Sequence, residues 1–412
     1  MKKLLFALFL FVIMSTSGFA WDCYNITSAG AISNVGNYSY IGGAWNITTG
    51  TNLSCTNVTL NLTGNLTVYG NLTLSDVDML VNLTNTTPYD DVTNVYGYGT
   101  GYNLNTTSTY IHVYSGGKLN ITNYTNITAN ESWDNNNFWC GYEFVSFTGS
   151  TLEIRDSFFK HVGCNNRSDY DSGWQAQWTR FHGIRIETNN SKIVNNTIYV
   201  NGSWAINFWN SSHNLAENNT VQGVGITVFG GGILISNAGE ITASIVNGYN
   251  NTVFNNTVYD VHHGTYGWNA VNNTYANNTI IRILTQNNQY GTLLYNYSTN
   301  NIVENNTYLY LDGTDSAGVW LQSYAKNNII RKNSMYDNKY GAYIFGSSDN
   351  NTFAENTINN TYTGLEIRSS NNTVYNNTMV DSSYRLGHMY TAYNNQIFNN
   401  TFRDAGPGVN FL

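Results

Sequence analysis

A four-residue phrase, Asn-Asn-Thr followed by an apolar residue, returns along most of this 412-residue chain. It stands at Asn195–Ile198, Asn218–Val221, Asn255–Val258, Asn277–Ile280 and Asn305–Tyr308, and again at Asn376–Met379 and Asn399–Phe402. Lys332–Met335 and Glu355–Ile358 are degenerate copies. Successive copies mostly lie roughly 21–28 residues apart, a spacing that marks a stacked repeat array.

One repeat, Gly364 to Asp381, shows the local grammar. Leu365 and Ile367 alternate with Glu366 and Arg368, the period-two pattern of a half-buried strand. A polar turn follows at Ser369–Asn371, then Asn372 and Val374 share one parity; after Tyr375 the phase resets and Asn377 and Met379 share a face. Each repeat thus holds three very short strands and no helix. Too short for hairpins, they satisfy their backbone groups by stacking in parallel, coil on coil. The same start recurs at Gly183–Ile186, Gly291–Leu294, Gly318–Leu321 and Gly341–Ile344. The fold class expected is all-β, a single-stranded right-handed parallel β-helix solenoid.

The Gly-apolar-x-apolar and Asn-Asn-x-apolar coils resemble the right-handed parallel β-helix repeats of the pectin-lyase-like superfamily, in particular the NosD-like and carbohydrate-binding or sugar-hydrolysis groups. The resemblance covers most of the chain and implies the fold. It does not choose an activity, because unrelated functions share such scaffolds.

Composition bounds the rest. Charged residues are 10%, the formal net charge is −8, and the 17 Lys and Arg are scattered, which argues against nucleic acid as a partner. Hydrophobic residues at 41% and aromatics at 15% supply a long core. Met1-Lys2-Lys3, an apolar run from Leu4 to Met14 and small residues at Gly18 and Ala20 read as a secretory signal peptide, too short for a membrane span. The expected organisation is a signal peptide at 1–20, a cap segment at 21–56, and a β-helix over 57–412 with loop insertions near 85–110, 130–140 and 164–182. The location expected is secreted or at the cell surface, with no membrane span after cleavage.

In an exported chain the four cysteines suggest two disulfides, with three pairings open. Cys23–Cys55 and Cys140–Cys164 are favoured; the second pair lies about one repeat apart, and stacked coils sit about 4.8 Å apart, inside the Cα range a disulfide accepts. Paired CxxC spacing for zinc is lacking. The second Asn of each phrase, sharing parity with the apolar residue, is expected inside, bonding one coil to the next. The first Asn and the Thr then point outward as a glycosylation acceptor. The acceptors singled out are Asn57, Asn61, Asn65, Asn71, Asn195, Asn218, Asn255, Asn376 and Asn399.

Two places interrupt the repeat. Between Cys164 and His182, Trp174 and Trp178 offer flat faces for sugar rings, and Asp169, Asp171, Arg180 and His182 carry the residue types of a polysaccharide lyase, epimerase or hydrolase. The bland alternative is a glycosylated loop pinned by a disulfide. At Asp260, His262 and His263, one His beside the Asp is a candidate base, since neighbours on a strand point to opposite faces; a turn filler is the alternative. Asp312–Asp315 reads as a turn and not a Ca²⁺ loop. The 32 tyrosines suggest an outward aromatic stripe along one face that binds polysaccharide by stacking; rings that simply cap the rod's faces are the alternative. The leading reading is an exported, glycosylated structural, adhesive or glycan-binding rod, with polysaccharide or cell-surface glycans as partners. The enzyme reading and a NosD-like extracytoplasmic accessory role are the alternatives. No metal and no cofactor are expected, with Ca²⁺ the exception if the protein is a lyase.

Overall fold

A computed structural model describes residues 21–22, 32–35, 38–41, 44–82, 109–129, 132–133, 139–165, 182–200, 204–223, 231–236, 248–281, 289–390, 392–403 and 409–411. Among them strand follows strand without a helix. The coil from Ala317 to Tyr336 shows the plan: Ala317–Gln322, a turn, Ile329–Arg331, a tighter turn, then Ser334–Tyr336. Each strand pairs in parallel with its equivalents before and after. Val319 pairs with Thr292 and Ala342, Ile330 with Val303 and Phe353, and Met335 with Tyr308 and Ile358.

The first strands of the coils form a fourteen-strand sheet. The second and third sets merge into a 27-strand sheet, because the early strands Asn52–Leu62 and Asn71–Val81 run through the corner that later coils break into a turn. Within the segment expected to form a cap, Trp45–Ile47 already pairs with Leu66–Val68 in the fourteen-strand sheet. The protein is a right-handed parallel β-helix. One apolar core runs through it, from Trp45 to Leu386.

The repeated phrase is the corner between the second and third strands. Its first residue has positive φ in every copy: Asn195 at 58°, Asn277 at 57°, Lys332 at 56°, Glu355 at 57°. Asn adopts this left-handed conformation more readily than other non-glycine residues, which explains its dominance there. The second residue turns inward. Asn278, Asn306, Asn333 and Asn356 are buried and form a continuous ladder. Asn278 Nδ2 donates to Asn306 Oδ1 at 3.0 Å and to the Val253 carbonyl at 2.9 Å, while the Asn278 backbone N–H donates to the same Oδ1 at 2.8 Å. Asn306 repeats the pattern toward Asn333. The side chain therefore satisfies the backbone N–H that the sharp corner turns inside.

A second ladder, at the corner between the first and second strands, includes Asn251, Asn273, Asn301, Asn328, Asn351 and Asn372. Asn301 Nδ2 donates to Asn328 Oδ1 at 3.0 Å. The residues before it, such as Asn272, Asn300 and Asn327, again have positive φ. The rod is thus stitched along two corners.

The glycine that opens most coils has a packing cause. A Cβ on Gly291 would stand 2.5 Å from the Gly318 carbonyl oxygen, and one on Gly341 2.5 Å from that of Gly364. From Gly232 to Gly364 neighbouring coils approach too closely there for a side chain, while Ala205 and Leu386 hold the equivalent position in the flanking coils.

Cys55 is disulfide-bonded, and Asp22 pairs in parallel with Ser54, the residue before it. Cys140 and Cys164 are register partners on two short antiparallel strands, Trp139–Cys140 and Cys164–Asn165. Their proximity arises from this antiparallel pairing and not from coil stacking, as the one-repeat spacing had suggested.

Candidate functional site

The outer face of the fourteen-strand sheet departs from half-buried alternation. Trp204–Trp209 and Gly231–Ser236 are buried at every position, and His263–Trp268, Tyr290–Tyr295 and Ala317–Gln322 at all but the last. The inward residues join the main core. On the outside, Trp204, Tyr266, Tyr290, Trp320 and Tyr343 pack into a separate aromatic cluster, with Trp268, Tyr295, Tyr340 and Phe345 half-buried at its margin.

Rings meet both between coils and within one strand. Trp204 and Tyr266 stack at 5.5 Å, His263 and Tyr290 at 5.0 Å, and Tyr340 and Tyr343 at 5.4 Å. Trp320 meets Tyr343 edge-on at 4.3 Å. The aromatic residues gathered on this sheet form a buried cluster, and only its margin at Trp268, Tyr295, Tyr340 and Phe345 is partly open to solvent. A separate, shorter stack, Tyr69–Tyr114–Phe147, lies on the N-terminal coils, with centroids 4.8 and 4.9 Å apart.

Toward the C-terminal coils the row meets charge. Glu366 pairs in register with Tyr343 on one side and His388 on the other. Its side chain is only 7% exposed and accepts from Arg368 Nε at 2.6 Å, with His388 Nδ1 3.9 Å away. The Arg368 guanidinium lies 5.4 Å from the Tyr343 ring and 5.8 Å from the Tyr390 ring. Burial first, then the positive charges of Arg385 and Arg368, lower the His388 pKa below its ordinary 6.5 against the opposing pull of Glu366, so the imidazole is neutral at pH 7. Burial, then Glu366, raises the Tyr343 phenol. A neutral imidazole, a clamped guanidinium and phenols at the end of an aromatic row suit recognition of a polar, ring-shaped ligand.

The sequence had presented Glu366 and Arg368 as the solvent side of a half-buried strand. Reading the third position of Gly-apolar-x-apolar down the coils would have shown otherwise, since it holds Tyr266, Leu293, Trp320 and Tyr343 in succession.

Of the sequence candidates, Asp169, Asp171, Trp174, Trp178 and Arg180 lie outside the described residues, as do the proposed signal peptide and Cys23. His182 begins the strand His182–Ile186, in register with Trp204. Asp260 is a turn residue with φ 56°. His262 and His263 correct the expectation of opposite faces: His262 precedes the strand that starts at His263, so alternation does not apply. Their rings meet, Nδ1 to Nε2, at 3.1 Å. Both are buried. Burial, then His262, holds the His263 pKa well below 6.5. A depressed histidine pKa means that the unfolded chain binds the extra proton first. Stability is therefore expected to be full above about pH 6.5 and to fall as pH drops toward the folded-state value. His263→Phe, which preserves the stack on Tyr290, should flatten that loss in thermal unfolding measured from pH 7.5 to 5; an unchanged slope would assign the loss elsewhere.

The fold defines a class, the parallel β-helix proteins. A family model described as periplasmic copper-binding protein (NosD) matches residues 164–406, more than half of the chain, and the protein belongs to that family. No curated protein sequence matches it. Among solved structures, the periplasmic alginate epimerase AlgG is similar at 11% identity and TM-score 0.51, covering 93% of this chain and 83% of that one. The A-module of the Azotobacter vinelandii mannuronan C-5 epimerase AlgE6 is similar at 12% and 0.51, covering 90% and 89%. The catalytic unit of a GH87 alpha-1,3-glucanase from Streptomyces thermodiastaticus is similar at 12% and 0.54, covering 88% of this chain and 63% of its own. At these identities the likeness is one of fold.

The family description names copper, so the donors were compared with what copper requires. Copper favours imidazole, thiolate and thioether ligands converging on one point. Among the described residues no three His, Cys, Asp or Glu converge. Cys55 is disulfide-bonded, and Met79, Met335 and Met379 are buried in the hydrocarbon core. His262 and His263 turn ring nitrogens toward each other. The described residues do not fit a copper site.

Proposed function

We propose that this protein is an extracytoplasmic glycan-binding β-helix whose polysaccharide lies along the outer face of the fourteen-strand sheet. The observation that carries this reading is the set of half-buried rings at the margin of that face, Trp268 and Tyr295 in register on successive coils and Tyr340 and Phe345 two coils further on, backed by the buried rings of the cluster and followed by Glu366, Arg368 and His388. From His263–Trp268 to Tyr340–Ile344 each coil carries at least one ring on this face, so a repeating ligand meets a repeating surface. Fold likeness to proteins described as alginate epimerases and an alpha-1,3-glucanase is consistent with it. Affinity electrophoresis against neutral and acidic polysaccharides tests it. Trp268→Ala with Tyr295→Ala, both at the half-buried margin, should weaken binding by at least about tenfold. No retardation by any glycan, or wild-type retardation of the double variant, would reject it.

A second reading, turnover of the bound glycan, is favoured by the neutral His388 beside a buried carboxylate and an arginine. Unsaturated or epimerised products that disappear in His388→Gln would establish it.

Export, glycosylation and the two disulfides complete the proposal. Exposure of Asn57, Asn71, Asn195, Asn218, Asn255, Asn376 and Asn399 supports glycosylation, while Asn61 and Asn65 are partly shielded. Asn255 Nδ2 reaches Asn218 Oδ1 at 2.6 Å, so glycans on adjacent coils compete for room. Cys140 facing Cys164 in register supports one disulfide, and bonded Cys55 fits Cys23 as partner for the other.

A further inference from the structure

Beside the C-terminal end of the aromatic row lies a pile of rings and cations that no part of the fold requires. Tyr340, Thr363 and Arg385 are register partners on three successive coils, which puts Lys339, Tyr362 and Tyr384 in line one residue earlier. The Tyr362 and Tyr384 rings stack at 4.9 Å and 11°, and 39% and 37% of these residues are exposed. Lys339 Nζ sits 3.4 Å from the centre of the Tyr362 ring, and the Arg385 guanidinium 4.5 Å from that of Tyr384.

The two cations differ from most others in the protein. Arg155, Arg185, Arg331 and Arg368 each pair with a glutamate, and Lys326 with Asp349. Among the described residues, neither Lys339 nor Arg385 makes an ion pair. Aromatic faces hold a cation in place through the ring quadrupole without neutralising it, so both charges stay available to a ligand. In a chain with 25 acidic residues and 17 basic ones, uncompensated positive charge at one margin of a candidate binding face is out of keeping with its surroundings.

We propose that Lys339 and Arg385, held on the Tyr362–Tyr384 stack, form an anion subsite that takes a carboxylate or sulfate of an acidic polysaccharide lying on the fourteen-strand sheet. This rests on the glycan-binding reading and narrows it to acidic glycans. The arginine supplies a planar fork matched to either group, and the lysine a point charge two coils away.

The test measures binding of the full chain to a polyuronate, a sulfated glycan and a neutral glucan of similar length, at low and high salt. Lys339→Gln with Arg385→Gln replaces exposed or half-exposed groups, and thermal unfolding verifies that the variant is folded. The expected result is tighter binding of one or both acidic glycans than of glucan. The double variant should lose about tenfold or more of that affinity and most of its salt dependence, with glucan binding changed less than about twofold. Stronger polyuronate binding assigns a carboxylate, stronger binding of the sulfated glycan a sulfate. Equal affinity for all three glycans, or an unchanged double variant, overturns the subsite while leaving the aromatic row as a glycan platform. Absence of binding to any of the three overturns both.

Discussion

Asn306→Ala is expected to destabilise the rod by about 3–5 kcal/mol, and Asn305→Ala, one residue away, by about 1 kcal/mol or less. Asn306 Nδ2 donates to Asn333 Oδ1 at 3.0 Å and to the Tyr275 carbonyl at 2.9 Å, while its Oδ1 accepts the backbone N–H and the Nδ2 of Asn278. Truncation therefore leaves two or three buried polar groups without their bonds, each costing about 1–3 kcal/mol. Asn305 is exposed and contributes mainly its tolerance of φ 54°. Urea unfolding followed by circular dichroism distinguishes the two; because solenoids unfold in segments, the midpoint of the transition is the quantity to compare. A larger loss for Asn305→Ala would reverse the inside–outside assignment of the phrase.

Gly291→Val should be still more damaging, abolishing or severely lowering soluble expression. Its Cβ would stand 2.5 Å from the Gly318 carbonyl oxygen and 2.2 Å from Tyr308 Cδ1. Neither can yield freely: the carbonyl belongs to the next coil, and Tyr308 is fully buried with its hydroxyl 2.7 Å from Thr292 Oγ1. Overpacking a core typically costs about 1–3 kcal/mol, and a clash with backbone costs more because coils must separate to relieve it. Gln396→Val, at an exposed strand position, controls for placing a β-branched residue in a strand. Equal stability of the two variants would show that the coils can part at the glycine without penalty.

Most of the architecture was legible because it is local and repeated. The parity of Asn377 with Met379 predicted which Asn turns inward, since a strand has only two faces. The glycines of Gly291–Leu294 and Gly318–Leu321 marked the start of each coil. The positive φ of Lys332 and Glu355 explains why the phrase tolerates those substitutions: the corner requires a conformation, which Asn merely adopts most cheaply. The second ladder was half visible, as the shared parity of Asn372 and Val374, but its continuity from Asn251 to Asn372 emerges only once coils of unequal length are stacked.

The candidate site was much less legible. Glu366 and Arg368 looked like the wet side of one strand, and nothing within that strand says otherwise. Tyr343 and His388 lie more than twenty residues away on either side, yet they are the register neighbours of Glu366. His262 and His263 misled for a related reason: strand alternation was applied one residue before the strand begins.

By itself, then, the sequence determined the coil: its three strands, its inward residues, its corners and its glycine, because each depends on residues a few positions apart and on parity. Tertiary structure decided which side chains share the outer face. Loops of different length change the sequence distance between stacked positions from coil to coil, so the row of rings and its neighbours Glu366, Lys339 and Arg385 exist only in the stacked register, where parallel hydrogen bonding sets what lies beside what.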